Sequence, residues 1–175
     1  LFRKARAPNG WGGFRQHRWT AMAQFMSLVL PLFMRQAIEL AANAAGEGEV
    51  PVGALVVRDG KVIATGTNAM RSTSDPTAHA EIVAIRRAAE LLGNQRLDGC
   101  DLWVTLEPCA MCAGAISHAR IARLYYAASD SKGGGVEHGA RVFSQETCHH
   151  RPEVYAGIGE AQASDLLRTF FAARR

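Results

Sequence analysis

Short apolar segments alternate with longer amphipathic ones along residues 32–174, and few architectures accommodate that order. The short segments are rich in β-branched and aromatic residues and end at turn residues, which is typical of strands. The longer segments carry apolar residues at helical spacing, which is typical of helices packed on a core. The predicted order is α-β-β-α-β-α-β-β-α, with helices at 32–45, 78–92, 109–119 and 160–174 and strands at 52–57, 62–65, 102–106, 124–128 and around 154–155.

Strands that alternate with helices imply a sheet that is covered on both faces. We therefore predict an α/β fold in three layers. Asp59-Gly60 lies between two of the strand segments and predicts a hairpin turn. The chain shows no internal repeat and no linker, so residues 26–175 are predicted to form a single domain.

The positive charge is concentrated at the N-terminal end of the chain. The net charge is +4, but six of the 20 Lys and Arg lie in residues 1–38, which contain no Asp or Glu. The rest of the chain is slightly acidic, so a globally basic surface is not available as an argument for nucleic-acid binding. Any such site must be a local patch.

Residues 1–25 lack helical or strand periodicity and are predicted to be a disordered extension, with Met22 or Met26 as alternative starts. A transit peptide stays open as an alternative, because the segment is basic. No stretch approaches the about 20 apolar residues that a membrane span needs. We predict no membrane association.

Four cysteines occur, and two of them, Cys109 and Cys112, have a metal or redox spacing rather than a disulfide framework. A domain of this length does not need disulfides for stability. The sequence therefore predicts a reducing, cytoplasmic location.

Three residues are predicted to bind a metal: His79, Cys109 and Cys112. Each lies near the start of a predicted helix, where free N–H groups and the helix dipole favour thiolate. Three protein ligands leave one tetrahedral position for water, which is the pattern of a catalytic zinc site. Zinc lowers the pKa of such a water toward neutrality. Iron stays open as an alternative metal.

Glu81 lies two positions beyond His79 and need not be a ligand. A carboxylate beside an activated water can take its proton, give it to a ring nitrogen and assist the departure of ammonia. The hydrolytic loss of an exocyclic amine needs these transfers. A closed structural zinc site would need a fourth ligand, for which 148–150 is the candidate segment. A redox pair would leave His79 and Glu81 without a role.

His79-Ala-Glu81 together with Pro108-Cys109-Ala-Met-Cys112 resembles the signature of the cytidine deaminase-like superfamily. Longer stretches at 49–54, 75–81 and 104–115, and the ending Phe170-Phe171, resemble the bacterial tRNA adenosine deaminases. The resemblance runs from Leu32 to the C-terminus and is specific over residues 50–132.

This resemblance implies a cytidine deaminase-like fold, with a central five-stranded mixed sheet flanked by helices. It implies hydrolytic conversion of adenosine to inosine at the wobble position of a tRNA anticodon, with one Zn²⁺ per subunit. It also implies a homodimer whose subunits both contact RNA. An anticodon loop offers unpaired bases, which a deaminase requires.

The resemblance also implies substrate contacts near the zinc site. Asn68 matches a pocket asparagine that hydrogen-bonds the flipped base, and the Ala80 backbone would face that base. Asp130 and Lys132 match a loop that touches the anticodon nucleotides. From local sequence alone, Asn68 would be a turn residue and the other two a solvated loop.

More distant contacts are implied for the C-terminal part of the chain. Phe170 and Phe171 match aromatic positions near the RNA, with core packing as the alternative. His149 stands where the family commonly has asparagine, and the three glycines after Lys132 also depart from the family. A local basic patch is a further hypothesis for phosphate binding, with these members: Arg71, Lys132, Arg141, Arg151, Arg174 and Arg175.

Two other functions stay open. A deaminase of free guanine, cytosine or cytidine would carry the same zinc motifs. An inactive zinc module that only binds RNA is a different class of protein, and intact Glu81 argues against it because such a module has no use for the carboxylate.

Overall fold

The structure is a computed structural model that describes residues 30–174, and the fold begins at Pro31. The predicted extension at 1–25 lies outside the described residues. Helices and strands follow in this order: α1 (Leu32–Gly46), β1 (Gly53–Arg58), β2 (Lys61–Thr67), α2 (Met70–Thr73), α3 (Ala80–Leu92), β3 (Asp101–Leu106), α4 (Ala110–Ala119), β4 (Arg123–Ala128), β5 (Glu153–Tyr155) and α5 (Glu160–Ala172).

The five strands form one mixed sheet in the order β2-β1-β3-β4-β5. β1 pairs antiparallel with both β2 and β3, whereas β3, β4 and β5 run parallel. Asp59-Gly60 forms the predicted hairpin turn, and both residues have positive φ. The carboxyl ends of β3 and β4 meet at one edge of the sheet, which is where ligands bind in open α/β sheets.

Helices cover both faces of the sheet, which confirms the predicted three layers. Successive residues of a strand point to opposite faces. Val56 therefore packs in one core cluster with Ala84 of α3 and Ile116 of α4, and Leu55 packs in the other with Met34 of α1 and Ala163 of α5. The helices that begin at the predicted metal ligands both lie on the first face.

Close packing fixes the position of α3 on this sheet. A Cβ atom at Gly66 of β2 would lie 2.2 Å from the Ala80 carbonyl oxygen and 2.6 Å from the Ala84 nitrogen. Only glycine permits this approach without a backbone shift. β2 thereby holds the first turn of α3, where two of the predicted functional residues lie.

The predicted elements are confirmed, but several of their ends are different. α3 begins at Ala80 rather than residue 78, and α4 begins at Ala110 rather than residue 109, because His79 and Cys109 are the extended N-cap residues. α5 ends at Ala172 rather than residue 174. The short helix α2 and a 3₁₀ turn at Val142–Ser144 were not predicted, since single helical turns have no periodicity to detect.

The search for membrane-spanning segments covered the described residues. None of their helices is both long enough and apolar enough to cross a bilayer.

Candidate active site

Two helix starts bring together the three predicted metal ligands. The Nδ1 atom of His79 lies 3.6 Å from the Cys109 Sγ and 3.5 Å from the Cys112 Sγ. In a tetrahedral zinc site with Zn–S of about 2.3 Å and Zn–N of about 2.0 Å, ligand atoms lie about 3.5–3.8 Å apart. One nitrogen and two sulfurs at this spacing fit zinc.

This group is the one set of three potential metal ligands among residues 30–174. The segment that was considered for a fourth ligand lies elsewhere. Cys148 Sγ donates to the His150 carbonyl oxygen, and the His150 Nε2 lies 2.6 Å from the Ile121 carbonyl oxygen. The described residues thus offer three protein ligands, which is the composition of a catalytic site rather than a closed structural one.

The two thiols differ in acidity because they share a hydrogen bond. The Cys112 thiol donates to Cys109, and with the nearby His79 ring this lowers the pKa of Cys109 to about 4. The same bond, together with burial, raises the pKa of Cys112. A separate hydrogen bond, between the His79 Nδ1 and the Cys109 Sγ, raises the pKa of His79. A metal held here would displace the remaining thiol proton, because thiolate is the binding form.

Glu81 lies in the first turn of α3 and is 4% exposed. Burial, reinforced by the negative charge of Cys109, raises the pKa of its carboxyl group to about 6. A carboxyl group with a pKa near neutrality both accepts and releases protons readily. This acidity suits the predicted proton-transfer role.

A cavity of about 250 Å³ lies against these residues. Its polar lining comes from His79, Glu81, Cys109, Asn68, Glu107 and Asp130, and its apolar lining from Val50, Val52, Met70 and Leu106. The structure thus brings two of the predicted substrate contacts, Asn68 and Asp130, to the predicted catalytic group. Apolar walls with a few convergent polar groups are typical of a small-ligand pocket.

Asn68 is held in one orientation by α3. Its Oδ1 accepts the Ala80 N–H at 2.9 Å, which requires oxygen at that position and leaves the side-chain NH₂ as a donor. Ala80 itself is fully buried and does not line the cavity. Its backbone N–H is used to orient Asn68, so the predicted contact of the Ala80 backbone with a base stays a prediction.

A second cavity, of about 860 Å³, adjoins the first, since both are lined by Asp130 and Gly133. Its remaining lining is formed by Lys132 and, from the C-terminal segment, by Leu167, Arg168, Phe171, Ala172 and Arg174. Lys132 and Phe171 are therefore close to the candidate site but outside the first cavity, which we call the catalytic cavity.

The two adjacent phenylalanines have different environments. Phe171 is 49% exposed in the second cavity, whereas Phe170 is 7% exposed. The guanidinium of Arg174 stacks over the Phe170 ring, 3.6 Å from its centroid. The burial of Phe170 supports core packing for that residue, and Phe171 retains the geometry for a substrate contact.

His149 lies apart from both cavities within the chain. It lines a third depression with His118 and Arg120, and the Arg120 Nη1 donates to its carbonyl oxygen at 2.9 Å. Its predicted role in RNA contact stays a prediction.

Sequence reasoning missed Glu107, which is one of the residues that line the catalytic cavity and whose side chain is fully buried. Burial would raise its pKa, but hydrogen bonds from the N–H groups of Asp130, His138 and Glu137 and from the His138 ring bring the pKa below its usual value. Glu107 directly follows a buried strand and precedes Pro108, and an acid at the end of a buried strand was the available signal.

Comparison with known proteins finds a zinc-binding deaminase region in this chain. The family model for the cytidine and deoxycytidylate deaminase zinc-binding region matches residues 30–128. The chain is 57% identical over 143 residues to a tRNA-specific adenosine deaminase of Agrobacterium fabrum, which covers 82% of this chain and 94% of that relative. A tRNA-specific adenosine deaminase of Haemophilus influenzae is 48% identical and covers 81% of this chain and 83% of its own length.

Solved structures give the same picture. A structure from a study of A-to-I editing by tRNA:A34 deaminases at the wobble position is 57% identical, with a TM-score of 0.76 over 77% of this chain and 98% of its own. A guanine deaminase from Nitrosomonas europaea is 26% identical, with a TM-score of 0.70 over 82% and 86% of the two chains. The chain belongs to the tRNA-specific adenosine deaminase family, among the zinc-binding cytidine and deoxycytidylate deaminases.

Proposed function

We propose that this protein hydrolyses adenosine to inosine at the wobble position of a tRNA anticodon. One observation carries the proposal: a small pocket with a buried carboxylate adjoins a larger cavity lined by cations and an exposed phenylalanine. A free base would fill the pocket alone. The larger cavity suits the flanking nucleotides of an RNA loop, because aromatic faces stack on bases and cations bind phosphates.

His79, Cys109 and Cys112 are the residues that would hold zinc, and a zinc ion held there supplies the Lewis acidity that activates water for attack. Glu81 accepts the proton that the attacking water loses and delivers it to the ring nitrogen next to adenine C6. The C–O bond forms at C6. Glu81 then takes the remaining proton from the added hydroxyl group and passes it to the exocyclic nitrogen, the bond from C6 to that nitrogen breaks, and the nitrogen leaves as ammonia. Adenosine and water thus become inosine and ammonia.

Asn68 and the apolar walls orient the base for this reaction. With its oxygen held by the Ala80 N–H, Asn68 presents its NH₂ to an acceptor on the base edge. Val52 and Leu106 offer apolar surface to the ring faces. A base seated against them excludes water from Glu81, which is already buried.

Contacts outside the pocket extend the proposal to the RNA backbone. Lys132 and Arg168 line the second cavity and would bind phosphates, and Phe171 would stack on a base. We further propose that the chain acts as a homodimer in the cytoplasm. A reducing compartment would keep both sulfur ligands available as thiolates.

A second candidate function is deamination of free guanine. The structural likeness to a guanine deaminase over 82% of the chain favours it, since the zinc ligands and Glu81 serve either reaction equally. The two functions differ in their use of the second cavity. An RNA loop would occupy it, whereas a free base would not.

The test is inosine and ammonia formation by the zinc-loaded protein, on an anticodon stem-loop with a wobble adenosine and on free adenosine, cytidine and guanine. We expect activity on the stem-loop alone. Activity on free guanine without activity on the stem-loop would refute the tRNA substrate and leave the zinc chemistry in place. A Glu81→Ala protein, matched for zinc content, serves as the inactive control.

A further inference from the structure

The buried carboxylate of Glu107 is the centre of a hydrogen-bond network that the proposed reaction does not use. Its Oε1 accepts the backbone N–H groups of Val136, Glu137 and His138 at 3.2, 2.9 and 3.0 Å. Its Oε2 accepts the N–H of Asp130 at 3.0 Å and lies 2.7 Å from the His138 Nδ1. All these donors belong to residues 130–138, which we call the glycine loop.

The glycine loop lies directly on the start of α4. The Gly135 N–H donates to the Pro108 carbonyl oxygen at 2.9 Å, and Gly134 pairs with Cys109. A Cβ atom at Gly134 would lie 2.5 Å from the Asp130 carbonyl oxygen and 2.6 Å from the Glu107 carboxylate. This contact admits no side chain at Gly134, and at Gly135 an added Cβ would lie 2.5 Å from the Ala110 nitrogen, so these two glycines have a structural reason.

The loop also carries the residues that border both cavities. The Asp130 N–H is held by Glu107, and the Asp130 Oδ1 in turn accepts the N–H groups of Lys132 and Gly133 at 3.0 and 2.9 Å. Glu107 thus fixes Asp130, and Asp130 fixes the backbone of Lys132. The far end, which Glu107 also holds, has a second contact, because the Tyr126 hydroxyl donates to the Glu137 carboxylate at 2.6 Å.

We propose that Glu107 is a positioning residue for the nucleic-acid substrate, which holds the glycine loop against the zinc-binding helix and so sets Asp130 and Lys132 at the mouth of the catalytic cavity. The part that concerns substrate rests on the proposed function. Glu107 does not transfer protons in this scheme. It acts through five hydrogen bonds to a loop that has no regular secondary structure of its own.

The first test is amide hydrogen exchange in Glu107→Gln, which keeps the shape of the side chain but turns one acceptor into a donor. We expect faster exchange at Asp130, Val136, Glu137 and His138, with zinc content unchanged. Glu49→Gln is the matched control, since the buried Glu49 accepts the N–H groups of Arg71 and Ser72. It should accelerate exchange at those two residues and leave the glycine loop unchanged.

The second test is kinetic. Glu107→Gln should lower kcat/KM on the stem-loop by about ten- to hundredfold, because misplacement by about 1 Å is enough for such losses. The loss should lie mainly in KM, because Asp130 and Lys132 would contact the RNA and not the reacting atoms. A purely structural role would reduce the active fraction, and hence kcat, without changing KM. Gly134→Ala displaces the same loop with Glu107 intact, so the double variant should lose less than the product of the two single effects. Gly46→Ala, where an added Cβ meets no atom within 4 Å, is the glycine control.

Unchanged exchange in the loop of Glu107→Gln, loss of zinc, or an unchanged KM in both variants would overturn the inference. A wild-type protein that is inactive on the stem-loop would refute the proposed function together with the substrate part of this inference. The exchange rates would still decide whether Glu107 holds the loop.

Discussion

Substitution of Gly66 tests directly how the sheet positions α3, the helix that carries Glu81. An alanine Cβ there would lie 2.2 Å from the Ala80 carbonyl oxygen. An ordinary contact between these atoms is roughly 1 Å longer, given that favourable nonbonded contacts begin near about 3.5 Å. Gly66→Ala must therefore push the first turn of α3, with His79 and Glu81, about 1 Å away from β2.

The displacement has two consequences whose sizes differ. Overpacking in a well-packed core costs about 1–3 kcal/mol, and the backbone contact at Gly66 places this variant at the upper end, at about 3 kcal/mol. For a domain of this size, that cost lowers the Tm by about 6–12 °C. A shift of about 1 Å at the catalytic carboxylate lowers kcat by about a hundredfold.

Thermal unfolding measures the loss of stability. Stem-loop deamination, at a temperature where the variant remains folded, measures the loss of kcat. Gly46→Ala is the control, because an added Cβ there meets no atom within 4 Å and alanine favours the end of α1. A Gly66→Ala protein with wild-type kcat and a stability loss below about 1 kcal/mol would show that α3 is not held by this contact.

Three further predictions address the site itself. Glu81→Gln should lower kcat by about 10²–10⁴-fold without loss of zinc, because proton transfer is removed; ammonia release with metal analysis measures it, and a near-wild-type rate would contradict the assigned role. Removal of zinc by a chelator should abolish deamination and lower the Tm, with both restored by added zinc, because binding energy at the ligands stabilises the folded state; activity that persists in metal-free protein would exclude the metal role. Phe171→Ala should weaken stem-loop binding by about 1–3 kcal/mol at unchanged stability, whereas Phe170→Ala should lower the free energy of unfolding by about 3–5 kcal/mol. Stem-loop binding and unfolding are measured for both variants, and equal effects would contradict the distinction drawn from their exposure.

Local sequence patterns predicted most of the secondary structure and the candidate metal ligands. Asp59-Gly60 predicted its hairpin because a tight turn depends on two adjacent residues. His79, Cys109 and Cys112 were predicted as ligands because their residue types, and the short spacing of the two cysteines, are recognisable in the sequence. The predicted starts of α3 and α4 were wrong, because His79 and Cys109 have helix-forming neighbours but cap the helices in extended conformation.

Long-range contacts could not be predicted in the same way. Glu107 contacts His138 across 31 positions, and no local pattern connects an acid after one strand with a loop after the next. Phe170 and Phe171 are equivalent in sequence, and only the packing of α5 separates a buried ring from an exposed one. The orientation of Asn68 likewise depends on an N–H group 12 positions away.

The sequence by itself predicted the α/β class, the order of elements, the candidate metal ligands and the proposed proton-transfer carboxylate, because residue types and short local patterns suffice to recognise each of them. The tertiary structure alone decided the arrangement around them: the carboxyl ends of β3 and β4 meet at one edge, and that edge brings Glu107 to the glycine loop and Asn68 to α3. Those contacts depend on the path of the chain through the sheet, which is set by packing of the whole core.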